Sequence, residues 1–337
     1  MDASKAFDIV DHKQLFYKLK QRNTPSCFFK IIGCWYNKLF SVVRWNGALS
    51  SQFKVFLGVR QGGILSPVLF NVYVDDITNL LQNSGYGCYV NKLFFGCIMY
   101  ADDLLLISPS VKGLQYMLNI CYDFGSSANI VFNSSKSFSI AVGHKKVTST
   151  LQNLQLGADD ICWVNRIKYL GIYLLSKSLL EVDVVPIKRS YYSALNSVIC
   201  RCKYASEPVK IQLVKSYCLP LLQYCLGAIE LNCSALRQLS IAWNDAFRKI
   251  FNYNRWESVK LLIHYCGMID FVHTFDTVRL NFLHSVCHKF EYVSDLYNIM
   301  ELQFNTRSKI AEFYGCPSAS AVSYSFAVSQ HFHNLFE

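Results

Sequence analysis

Leu93-Phe94-Phe95-Gly96-Cys97-Ile98-Met99-Tyr100-Ala101-Asp102-Asp103-Leu104-Leu105-Leu106-Ile107-Ser108 consists of two apolar runs, 93–99 and 104–108, joined by a very short connection that holds two acids. Apolar runs of that length with so short a link predict a β-hairpin with Asp102 and Asp103 at its tip. A hairpin tip is a rigid and solvent-accessible place for carboxylates. Two other acidic pairs occur. Asp75-Asp76 falls where Val68, Leu69, Val72, Tyr73, Ile77 and Leu80 recur at helical spacing, so it reads as a solvated helix face. Asp159-Asp160 follows Gly157 and reads as a turn.

Outward from the hairpin, Met1 to Phe7 is short and strand-compatible. Asp11 reads as an N-cap with Gln14 three residues on, opening a helix that Pro25 ends. His12 belongs to the first turn of that helix. Residues 53–59 read as a strand, Gly62-Gly63 as a loop, and Ser66-Pro67 as the cap and first turn of the next helix. Further strands are expected over 129–142 and 163–174. From about 186 the pattern turns helical, with a turn at Asn252 to Asn254. The tail after Pro317, rich in Ser and Ala, is expected to be loosely held.

The chain has 337 residues, enough for two or three packed units, and 52% hydrophobic against 17% charged residues excludes a disordered protein. The apolar run between Lys215 and Glu230 is too short to span a bilayer and is broken by Pro220, so it reads as a kinked core helix. No membrane association is expected. Fourteen cysteines without a CxxC spacing read as free, buried thiols of an intracellular protein. The net charge is +10, and Pro186 to Lys260 holds eleven basic against four acidic residues, which points to a polyanionic partner.

Nucleotidyl transfer requires carboxylates that converge from separate strands to hold two divalent ions. Asp2 on the first strand and Asp102 with Asp103 at the hairpin tip are the candidates. Five motifs carry a resemblance. Asp2-Ala3-Ser4-Lys5-Ala6-Phe7-Asp8 with Val10-Asp11-His12, Arg60-Gln61-Gly62-Gly63-Ile64-Leu65-Ser66-Pro67, Tyr100-Ala101-Asp102-Asp103, Asn133-Ser134-Ser135-Lys136-Ser137 and Tyr169-Leu170-Gly171 stand in this order. Together they resemble the palm motifs of non-long-terminal-repeat (LINE-type) retrotransposon reverse transcriptases.

The resemblance implies an α+β fold: a polymerase palm with an antiparallel sheet and packed helices over 1–178, a basic helical thumb over 179–235, and a helical C-terminal region over 236–337. It implies an RNA-directed DNA polymerase that uses two Mg2+ ions, or Mn2+, with an RNA template, a DNA primer and deoxynucleoside triphosphates. Asp2 and Asp102 would be the principal metal ligands and Asp103 the supporting acid. Phe7 would lie under the incoming sugar and reject a 2′-hydroxyl. Gln61 and Gly62 would pack on the nucleotide and template base, and Lys136 would stand near the triphosphate. Tyr169 and Gly171 would belong to the primer grip. Lys188, Arg189, Lys203, Lys210 and Lys215 would hold the duplex by its phosphates.

A group II intron-type maturase shares Tyr-Ala-Asp-Asp, but the Lys-Ala-Phe-Asp wording fits LINE elements better. An RNA-dependent RNA polymerase would have Gly where Ala101 stands. A catalytically silent nucleic-acid-binding remnant is the alternative of a different class. The chain starts one residue before Asp2, which predicts a fragment without fingers or endonuclease, an Asp2 on a fraying terminus beside a free α-amino group, and weak or absent polymerisation.

Overall fold

The computed structural model describes residues 1–143, 151–289, 306–315 and 321–336. The chain groups into two compact units, one of residues 1–141 with 145–164 and one of 142–144 with 165–337. The three-stranded sheet that begins at Arg166 thus groups with the helical unit.

The first unit opens with β1 (Asp2–Ala3), α1 (His12–Gln21) and α2 (Ser26–Asn37). Asp11 caps α1, its Oδ1 accepting from the Gln14 amide at 2.9 Å. The second half of the expected capping box is replaced: the Gln14 side-chain amide stands 2.9 Å from the Tyr73 hydroxyl. Pro25 does not end α1, which closes at Arg22; it stands at the N-cap of α2. Four two-residue strands follow, β2 (Phe40–Ser41), β3 (Arg44–Trp45), β4 (Ala48–Leu49) and β5 (Phe53–Lys54). The strand expected over 53–59 is therefore cut to its first two residues. Gly58, at φ +88°, breaks its far end, where a Cβ would stand 2.8 Å from the Asp8 carbonyl oxygen.

Next come α3 (Ser66–Val74) and α4 (Asp76–Asn83), with Asp75 at the break. Ser66 does not cap α3. Its hydroxyl donates backwards to the Arg60 carbonyl at 2.5 Å, and Pro67 does occupy the first turn. Asp75 and Asp76 are solvent-accessible, as expected, and each also pairs with a cation: Asp75 with Arg22 at the end of α1, and Asp76 with Lys18 at 2.7 Å. After β6 (Tyr89–Val90) and β7 (Leu93–Phe94) comes the hairpin of β8 (Cys97–Tyr100) and β9 (Asp103–Leu106). Then α5 (Val111–Ser127) buries Met117, Leu118, Cys121 and Phe124 at helical spacing. The 129–142 region holds β10 (Phe132–Asn133) and β11 (Phe138–Ser139) around a 3-10 turn, Ser134–Lys136. Finally β12 (Leu154–Leu156) and β13 (Asp159–Trp163) pair antiparallel. The turn there is Gly157-Ala158, so Asp159 and Asp160 open a strand instead of forming the turn.

The central sheet runs β10-β1-β9-β8, antiparallel throughout. Its helical cover comes from α1, α3, α4 and α5, whose Leu15, Leu69, Phe70, Tyr73, Ile77, Leu81, Met117 and Cys121 share one core with Ala3 and Leu104. Burial of Leu- or Phe-sized side chains is worth roughly 1.5–3 kcal/mol each, which makes this core the main stabilising term.

In the second unit, β14 (Arg166–Tyr169), β15 (Ile172–Ser176) and β16 (Leu180–Val182) form a meander. The single strand expected over 163–174 is a hairpin instead. Leu170 and Gly171, at φ +44° and +85°, form its two-residue turn. Six labelled helices follow: α6 (Val184–Arg201), α7 (Glu207–Leu213), α8 (Leu219–Gln223), α9 (Cys233–Phe251), α10 (Lys260–Tyr265) and α11 (Phe271–Lys289). A π-helical turn, Val214–Cys218, leads into Pro220, which has no amide to donate, so the helical ladder is irregular where the break was expected. Asn252, left-handed at φ +56°, ends α9 as expected. The tail is not loose where it is described: Ala321–Asn334 is helical, and its Tyr324 and Val328 bury with Leu280 of α11.

The twelve cysteines whose side chains are described are all free, but only Cys121 and Cys218 of them are buried, so the expectation of buried thiols fails. No helix among the described residues is long and apolar enough to cross a membrane.

Candidate active site

The site grows from β1, the hairpin and the Asn133–Ser137 turn. Asp2 and Asp103 are direct register partners across the β1–β9 pair, and Asp2 also pairs with Asn133 of β10. Partners in an antiparallel ladder project to one face, so the two carboxylates are neighbours. Tyr100 pairs with Asp103, and Ala101 at φ +53° turns the chain with Asp102 at the tip. Burial, then the charges of Asp102 and Asp2, push the Asp103 carboxyl above its ordinary range.

Asp2 does not fray. Its strand is internal to the sheet, and Met1 and Leu104 exchange both backbone bonds, at 2.7 and 3.0 Å. The Asp2 amide also donates to the Ser137 hydroxyl at 3.3 Å. The Met1 ammonium is pushed below its ordinary range by burial, against the opposing pull of Asp103.

Lys136 Nζ stands 3.6 Å from Asp2 Oδ2. Two further residues of the fourth motif, given no role of their own from the sequence, put it there. Asn133 Oδ1 accepts from the Ser135 and Lys136 amides and caps the turn. Ser137, almost fully buried, donates to the Asn133 carbonyl at 2.7 Å. An Asn that opens a Ser-rich turn was the available signal.

Phe7 is half-buried and stacks on Phe70, with ring centroids 4.8 Å apart. Gln61 donates to Asp8 at 2.9 Å, and Gly62 sits at φ +81° with open space where a Cβ would point. His12 donates through Nε2 to the Gly58 carbonyl at 2.8 Å and packs edge-on against Tyr36. It ties α1 to the loop before Arg60 and touches none of the acids.

The donor set of Asp2, Asp102 and Asp103 is all carboxylate oxygen, which suits a hard divalent cation. Among the described residues, no three His, Cys, Asp or Glu side chains stand as a preformed metal-binding group. The acids therefore fit such an ion in kind, and in this structure the Lys136 ammonium faces Asp2.

The remaining predicted residues lie in the second unit. Tyr169 pairs with Ile172 beside the Leu170-Gly171 turn, and the Leu170 carbonyl accepts from the Tyr224 hydroxyl at 2.8 Å. Lys188 is half-buried and donates to Gln238 at 3.1 Å. Arg189, Lys203 and Lys215 are exposed, and Lys210 is half-buried.

The profile of the family described as reverse transcriptase (RNA-dependent DNA polymerase) matches residues 1–174. The chain belongs to this reverse transcriptase family. Among its relatives, it is 31% identical over 179 residues to the Retrovirus-related Pol polyprotein from type-2 retrotransposable element R2DM of Drosophila melanogaster, covering 51% of this chain and 17% of that one. It is 24% identical over 235 residues to the RNA-directed DNA polymerase from mobile element jockey of Drosophila funebris, covering 67% and 25%. It is 26% identical over 204 residues to the Transposon TX1 uncharacterized 149 kDa protein of Xenopus laevis, covering 60% and 15%. The chain thus spans a quarter or less of these relatives' lengths. The kinship with non-long-terminal-repeat retrotransposon reverse transcriptases, expected from the five motifs, holds.

Proposed function

We propose that this reverse transcriptase extends a DNA primer on an RNA template, with its metal-binding acids at Asp2, Asp102 and Asp103. The observation that carries the reading is the register of Asp2 opposite Asp103 at the base of the acidic hairpin tip. Two bound magnesium ions would activate the primer hydroxyl and neutralise the leaving pyrophosphate.

The rest is supplied by the chain's own residues. Crowded carboxylates raise one another's proton affinity, so Asp103 favours a cation over solvent as its neighbour. Lys136 neutralises Asp2 in the absence of substrate and is exposed enough to turn toward a triphosphate. Phe7, fixed by its stack on Phe70, would present a rigid wall to the sugar 2′ position. In the second unit Arg189, Lys203 and Lys215 would meet duplex phosphates without reading sequence. Lys188 contributes less to that role, since Gln238 already holds it.

The test is primer extension on an RNA template with magnesium and deoxynucleotides. The reading expects weak extension by the chain and none by Asp102→Asn. Extension that survives Asp102→Asn would remove the acids from the chemistry.

A further inference from the structure

Residues 12–74 contain no Asp or Glu and nine Lys or Arg, a denser positive charge than the helical region carries. Only Lys18 and Arg22 of these nine form ion pairs among the described residues. Within this stretch the chain makes a β-ribbon with no core of its own. Val55 donates to Leu39, Phe40 pairs with Lys54 and Ser41 with Phe53; after a one-residue register shift, Arg44 pairs with Leu49 and Trp45 with Ala48. Asn46-Gly47, both at positive φ, make the tip. Every residue from 40 to 54 is exposed, with Trp45 at 82%. A two-stranded ribbon is marginal in water by itself, and one this apolar calls for a covering partner.

At the foot of the ribbon lies a groove of about 730 Å³ between α2 and the Arg60–Leu69 segment, lined by Trp35, Lys38, Leu39, Arg60, Ile64 and Leu65. A second groove of about 520 Å³ shares Leu39 and Arg60 with it. Asp8, which accepts from Gln61, is the one acid that lines the second groove, and none lines the first. Exposed flat rings beside cations without ion-pair partners are complementary to a polyanion with accessible bases. Bases stack on aromatic rings regardless of sequence, and Lys and Arg take the phosphates. A base-paired helix hides its faces and gains only the phosphate contacts.

We propose that the 39–55 ribbon and the groove at its foot bind single-stranded RNA, with Trp45 and Trp35 as stacking platforms and Lys38, Arg44, Lys54 and Arg60 as phosphate contacts. The single-strand claim stands on the surface itself; the choice of RNA rests on the proposed function.

The test is fluorescence anisotropy of a labelled oligouridine RNA of about 20 nucleotides with the full chain, in EDTA and without nucleotides. Metal-free binding separates the two ideas: a chain that fails to extend primers still reports on the ribbon. The proposal expects Trp45→Ala combined with Trp35→Ala to weaken binding by about tenfold or more, and Arg44→Ala with Lys54→Ala to flatten its salt dependence. Trp45→Phe, which retains a ring, keeps most of the affinity and controls for folding together with circular dichroism. Unchanged RNA affinity in the tryptophan variant overturns the proposal. So does equal loss on a blunt RNA duplex. A change confined to self-association, read by sedimentation, also overturns it and makes the ribbon a protein interface.

Discussion

Asp103 stands opposite Asp2 on adjacent antiparallel strands, two carboxylates side by side on one face of a four-stranded sheet. Such a pair opposes folding unless a cation joins it.

That opposition has a pH signature. Folding raises the Asp103 pKa above its ordinary 3.8, through burial first and then Asp102 and Asp2. The folded state therefore binds the proton more tightly, and stability falls as pH climbs from the ordinary value through the raised one. Asp103→Asn should melt higher than the parent chain at neutral pH, and the gap should close below pH 3.8. Magnesium should raise the parent's melting temperature and leave that of Asp103→Asn nearly unchanged. Calorimetry across pH, with and without magnesium, checks both.

Lys136 is the cation facing Asp2 in this structure, at 3.6 Å and largely exposed. An exposed pair contributes at most about 1 kcal/mol, so Lys136→Ala should barely shift stability. If the lysine serves the triphosphate, the same change should raise KM for deoxynucleotides or lower kcat by about tenfold or more, within the range for a positioned proton donor or charge. Steady-state extension kinetics separate the two effects.

Tyr73 is fully buried, with its hydroxyl 2.7 Å from the Ala128 carbonyl and 2.9 Å from Gln14. Tyr73→Phe leaves a buried carbonyl without its donor and should cost roughly 1–3 kcal/mol in urea denaturation. Unaltered stability would mean that the hydroxyl is not what fastens α3 to the end of α5.

In the second unit, Gly171 at φ +85° would bring a Cβ to 3.2 Å from the Tyr224 ring. Gly171→Ala should cost about 1–2 kcal/mol for the left-handed backbone alone. Tyr224→Phe removes the bond to the Leu170 carbonyl and should loosen the same turn, read as faster amide exchange at Gly171 and Ile172.

Much of this was legible in the residues. The hairpin, the Asp11 cap and the Asn252 stop follow from local patterns that tertiary contacts reinforce. The failures have physical causes. Ser66 was open to reading as a cap because its hydroxyl's partner, the Arg60 carbonyl, is set by a loop that curls back. Tyr169-Leu170-Gly171 hides a turn because Leu170 adopts a positive φ that a sequence pattern does not reveal. The Ser- and Ala-rich tail is helical because α11 supplies a surface for Tyr324 and Val328, a partner distant in sequence. The positive stretch from His12 to Val74 was visible by counting missing acids instead of clustered bases.

Asp2, Asp102 and Asp103 are proposed to hold divalent cations together. Manganese titration of the chain, followed by loss of the free-ion electron paramagnetic resonance signal, reads this out. Binding should weaken by about tenfold or more in both Asp2→Asn and Asp102→Asn, and should survive Asp160→Asn on the exposed start of β13. Equal manganese binding by all four proteins would contradict it.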